Sequence, residues 1–151
     1  MAAPLRCFRG NTPMKVLAGA LAAALSLPMA FADPPQHQFD GIWNTILSCP
    51  NARGALGYSF EFLSLVKDDV LHGEKGSQGQ PGWLQIDGTI RADGTADLYT
   101  SGLVGAAAYA VGERPAGSAY AYHIDAQFAG GKGSGHRVGG RQCTVSFAKK
   151  G

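Results

Sequence analysis

A helical signal is what this sequence most plainly lacks. No stretch places apolar residues at a 3.6-residue spacing for long enough to make a useful amphipathic helix, so bundles and βαβ folds are excluded. An excess of either charge is missing too. Thirteen basic and eleven acidic residues nearly cancel over 151 positions, and three of the bases (Arg6, Arg9, Lys15) stand in a leader-like start. Without those three the formal charge is −1, which gives the chain no electrostatic claim on nucleic acid or anionic lipid.

Catalytic signatures are equally scarce. No serine stands in a nucleophile elbow, and the spacing of the carboxylates selects no acid pair for glycoside chemistry. Gly131-Lys-Gly-Ser-Gly135 has the residues of a phosphate loop without its spacing or a following helix, so Gly130–Gly140 reads as a connecting loop. Gly73, Gly76, Gly79 and Gly82 recur every third residue but lack the length and proline of collagen, and they also read as a loop. No cofactor is expected.

Long apolar runs number one. Val16–Leu27 follows Lys15 and leads into Pro28 and then Ala30-Phe-Ala32, the layout of a secretory leader cleaved before Asp33. The run is shorter than the ~20 residues a spanning helix needs, so no stable membrane insertion is expected after cleavage. Met14-Lys15 offers a second, more compact start than Met1. The expected destination is the periplasm or the extracellular space. Residues 1–32 are then leader, 33–38 an N-terminal arm and 39–151 one domain.

Only three cysteines occur, and Cys7 goes with the leader. Cys49 and Cys143 in an exported chain read as one disulfide. In the chain-entropy picture a bridge over so long a loop contributes about 4–5 kcal/mol. It also requires Cα atoms within about 7 Å, which makes the first and last strands neighbours.

What the sequence does have is period-two alternation. Phe39–Cys49 puts Phe39, Gly41, Trp43, Thr45, Leu47 and Cys49 on one face. Tyr58–Lys67 does the same with Tyr58, Phe60, Phe62, Ser64 and Val66, then turns at Asp68-Asp69 so that Val66 meets Leu71 and Leu65 meets His72. Leu63 and Leu65 fall on the outer face, where a covering loop is the favoured explanation. Trp83–Gly102 is a hairpin about Ala92-Asp-Gly94, pairing Ile90 with Ala96 and Ile86 with Thr100. Residues 103–119 show no clear period, and Ala106–Val111 fits a short strand or one turn of helix. Ala119–Phe128 and Arg141–Ala148 complete the set, with Cys143, Val145 and Phe147 inward on the closing strand. The class is all-β: a small antiparallel up-and-down barrel or closed sandwich of six to eight strands, its first and last strands bridged.

Two His-x-acid pairs, His72-x-Glu74 and His123-x-Asp125, would bring four metal-capable side chains together if their strands adjoined. Both fall on outer faces, where such residues are ordinary, so a metal-assisted enzyme is the secondary expectation.

Gly41-Ile42-Trp43 at the start of the first strand resembles the Gly-x-Trp opening of lipocalin- and avidin-like barrels, and of small exported bacterial metalloprotease inhibitors. The chain as a whole also resembles short exported bacterial proteins of unassigned activity. The resemblance to the barrels implies a tryptophan that closes one end and a mouth that takes a ligand or a protein. The expectation is therefore a non-enzymatic binding protein for a small apolar ligand or an exported or envelope partner, with a structural envelope role as a further alternative. Trp43, Trp83, Tyr99, Tyr120 and Tyr122 are the candidate contact residues.

Overall fold

The computed structural model describes residues 37–151. The leader, its cleavage point and most of the arm lie outside the described residues. Eight strands follow one another: β1 (Gly41–Cys49), β2 (Tyr58–Lys67), β3 (Val70–Lys75), β4 (Leu84–Ile90), β5 (Thr95–Leu103), β6 (Ala119–Ala129), β7 (Lys132–Arg137) and β8 (Thr144–Lys149). Each pairs antiparallel with the next, and β8 returns to β1 with Thr45 opposite Phe147. The result is a closed up-and-down barrel. Closure removes every sheet edge, which suits a barrel with no α-helix among the described residues to cover one.

The alternation read from the sequence sets the inside and the outside. Val66 faces Leu71, Leu65 faces His72, Ile90 faces Ala96 and Ile86 faces Thr100. Trp43, Leu47, Leu84, Ile86, Leu98, Ile124, Val145 and Phe147 share one buried core, with Phe60 packed against its margin. Cys49 is bonded to Cys143 across a Cα separation of 4.2 Å, tying the end of β1 to the segment that enters β8.

Three expectations need correction. The loop set at Gly130–Gly140 holds a strand, β7, and the segment after Gly73 starts only once β3 has run on to Lys75. Strand β7 escapes an apolar reading because its inward positions are Gly133, Gly135 and Arg137. A Cβ on Gly133 would lie 2.6 Å from the Phe128 ring, so the aromatic ring of β6 fills the space a β7 side chain would take. Leu63 and Leu65 have no covering loop: both stand about half exposed, beside Ile42, which pairs with Leu65. Of the two options for Ala106–Val111, the structure has a 3-10 turn at Ala107–Tyr109.

Hairpin parity gives the barrel two unlike ends. The turns β2–β3, β4–β5 and β6–β7 are tight and lie together at one end. Segments 50–57, 76–83, 104–118 and 138–143 lie at the other and are longer. At the tight end Asp68 and Asp69 both take left-handed conformations, φ 53° and 60°. Asp-Asp is a poor choice for such a turn on its own. The Asp40 carboxylate compensates, accepting the backbone N–H of Asp68 and of Asp69 at 3.0 Å each. Those two bonds hold its carboxyl below the ordinary range.

Candidate ligand cavity

The tight end is plugged. Trp43 is fully enclosed there and its Nε1 donates to the Phe39 carbonyl at 2.9 Å. Phe128 meets Trp43 edge-on at 5.4 Å between centroids and Phe147 at 4.8 Å, while Phe39 lies 6.0 Å away. Next to this plug a buried polar contact links the neighbouring strands β1 and β2, Thr45 Oγ1 to Ser64 Oγ at 2.7 Å.

The loop end is hollow. A cavity of about 830 Å³ opens there, within the roughly 300–1,000 Å³ typical of small-molecule sites. Its walls carry two aromatic pairs. Tyr58 and Phe60 on β2 lie 4.7 Å apart, and Tyr120 and Tyr122 on β6 stack nearly parallel at 6.1 Å. In a closed order of eight, β2 and β6 face each other across the axis. Burial raises the pKa of Tyr58, and raises Tyr120 and Tyr122 further, because a phenolate would lose its hydration there; neighbouring phenols add to the shift for those two. All three therefore stay protonated and can donate.

Among the described residues, five basic ones line the cavity, Arg53, Lys75, Arg114, Arg137 and Arg141, and no aspartate or glutamate does. Arg141 is buried, and its guanidinium spreads over three carbonyls: Nε to Pro50 at 2.7 Å, Nη1 to Tyr109 at 2.9 Å, and Nη2 to Leu56. One side chain thus ties the β1–β2 and β5–β6 loops to the segment before β8. Leu56 N–H bonds the Ala108 carbonyl at 2.8 Å, so the two loops also hold each other directly. Several cations rest on the aromatic walls, Lys75 4.1 Å above Phe60 and Arg137 4.2 Å above Tyr122.

The structure separates the five aromatic candidates. Tyr120 and Tyr122 line the cavity. Trp43 belongs to the plug at the opposite end, with no exposed surface to offer a ligand. Trp83 stands just before β4 and donates from Nε1 to Glu74 Oε1 at 2.6 Å, without lining the cavity. Tyr99 is on the outer wall, 5.4 Å from the His123 ring. Inward parity distinguishes Tyr120 and Tyr122 from Tyr99, but it cannot place Trp43 and Tyr122 at opposite ends.

The four-residue metal centre needed β3 and β6 to adjoin, and β4 and β5 separate them. His72 Nδ1 bonds Asp87 at 2.7 Å and His123 Nδ1 bonds Asp97 at 2.8 Å. Glu74 is taken by Trp83, and Asp125 sits opposite Asp97 and His136. These residues form separate surface pairs, and no four of them share a centre. At the plugged end His37, Asp40 and Asp68 bring ligand atoms within 4.8 Å of one another, but both Asp40 oxygens already serve the hairpin amides.

Sequence reading missed Phe60 as a wall residue, and Arg137 and Arg141 altogether. The alternation of β2 contained Phe60; nothing local marks the arginines, whose partners lie 32 to 91 residues away in the case of Arg141. The geometry as a whole defines an eight-stranded antiparallel barrel, stoppered at one end and open at the other. No family model, curated protein or solved structure matches the chain.

Proposed function

We propose that this is an exported, non-enzymatic binding protein that receives a small, largely apolar ligand through its open end. The observation that carries the reading is the contrast between the solid aromatic plug and an aromatic-walled hollow above it. A fold that needed only to be stable would fill both ends, since an empty apolar space forgoes packing contacts. The His–Asp pairs stand on the outer wall, away from the hollow, so the enzyme alternative gains nothing from them. Periplasmic or extracellular residence fits the leader pattern and the disulfide together.

The test is titration with N-phenyl-1-naphthylamine, a neutral fluorescent aromatic, followed by its emission. One saturable site is expected. Ala110→Trp, at the cavity wall, should weaken it at least about tenfold by filling the space. Tyr99→Ala, on the outer face, should leave it unchanged. Absence of saturable binding, or binding indifferent to Ala110→Trp, overturns the proposal.

A further inference from the structure

The ligand reading leaves open what else the ligand carries besides an apolar body. Arg137 on the cavity wall has a buried Nε with no hydrogen-bond partner among the described residues. Its guanidinium lies over the Tyr122 ring, whose buried hydroxyl has the Thr100 hydroxyl beside it across β5 and β6. A buried donor left unpaired costs about 1–3 kcal/mol.

The wall charges point the same way. Arg141 is spent on loop carbonyls and Arg114 donates to the Ala119 carbonyl. Arg137 has no carboxylate and no carbonyl on its guanidinium among the described residues, and no acid lines the cavity to neutralise it. A planar guanidinium matches the fork of a carboxylate or sulfonate, and an aromatic wall on either side matches a flat body.

Resting on the binding role proposed above, we infer that the ligand is an organic anion. It has a flat apolar body held between the Tyr58–Phe60 and Tyr120–Tyr122 walls, and an acidic head group that binds the Arg137 guanidinium. The near-neutral chain thus concentrates positive potential around this opening. A neutral molecule of the same shape would leave Arg137 without a counter-charge.

The experiment compares two probes that share an aromatic body: 8-anilinonaphthalene-1-sulfonate, which carries the acid, and neutral N-phenyl-1-naphthylamine. The intact protein should prefer the sulfonate by about ten- to hundredfold, the range of a charge-assisted hydrogen bond. Arg137→Gln should remove most of that preference while leaving the neutral probe within about twofold. Arg91→Gln, which deletes an exposed charge of the same sign at the plugged end, should not. Raising the salt should weaken the sulfonate severalfold and spare the neutral probe. Ala110→Trp should weaken both probes at least about tenfold, which separates the cavity from the exposed Ile42–Leu65 patch. Should Arg137→Gln fail to fold, the preference and its salt dependence in the unaltered protein decide. Equal affinity for the two probes, or a sulfonate preference untouched by Arg137→Gln, overturns the inference while the binding role stands. If neither probe binds, the binding role falls first.

Discussion

The two ends of the barrel are made from the same strands and yet follow opposite rules. At the plugged end the chain turns tightly, and four aromatic rings from β1, its lead-in, β6 and β8 meet, Phe39 and Trp43 edge-on to Phe128 and Phe147 tilted against it. At the open end the connections lengthen, the aromatics stay on opposite walls, and cations replace apolar residues between them. The difference teaches where stability and recognition have been put. The plug resembles any well-packed interior, its Trp43 indole hydrogen-bonded to the Phe39 carbonyl. The mouth instead keeps an unpaired Arg137 Nε and an unfilled volume, and it is held in shape by Arg141 and the disulfide.

Truncation is the bluntest way to break this comparison. Phe128→Ala should cost ~3–5 kcal/mol, the usual range for emptying a buried aromatic site. The loss should be at the upper end, because Gly133 on β7 has no side chain with which to collapse into the gap. Tyr120→Ala at the mouth should cost less than half as much, since one side of its ring already faces the hollow. Denaturant melts of the two variants check this; equal losses would mean that the mouth is as much a core as the plug.

A smaller effect is expected from Arg141→Gln. Three loop carbonyls lose their donor, and partial hydration tempers the penalty to about 2 kcal/mol. The sharper expectation is regional. Amides of 50–57 and 104–118 should exchange faster with solvent, while those of β6 and β8 near Phe128 keep their protection. Uniform acceleration would show that the guanidinium supports the whole barrel.

The mildest prediction concerns alkali. Folding raises the pKa of Tyr58, Tyr120 and Tyr122 above their ordinary value near 10. The unfolded chain therefore gives up these protons first, so the stability the neutral phenols contribute is complete below pH 10 and declines as pH rises beyond it. Tyrosinate absorbance from the three cavity phenols should appear only as the fold opens. Removing Tyr122 with Tyr122→Phe should shift the alkaline midpoint upward.

These contrasts also explain what could be read without a structure. The walls were legible because Trp43, Leu47, Ile86, Leu98, Ile124 and Phe147 all recur at period two, and the Asp93-Gly94 turn fixed one register. Two cysteines sufficed to bring β1 beside the start of β8. Strand β7 was hidden because Phe128 does its packing, which leaves glycines where apolar residues would signal a strand. The site was hidden for another reason. Alternation says which side chains point inward, but not how high along the axis they stand, and that height separates Trp43 from Tyr122. Arg141 gathers its three carbonyls from segments with no period at all. Long-range polar closure of this kind leaves no local trace.

Strand parity has one more consequence. With an even number of strands, β1 enters and β8 leaves at the plugged end, where Lys149 Nζ reaches the Gln38 carbonyl. Anything joined to the barrel on either side, such as a tether, a label or a fused partner, hangs from its base. The opening always looks away from the leash, as a cup stands with its handle beneath.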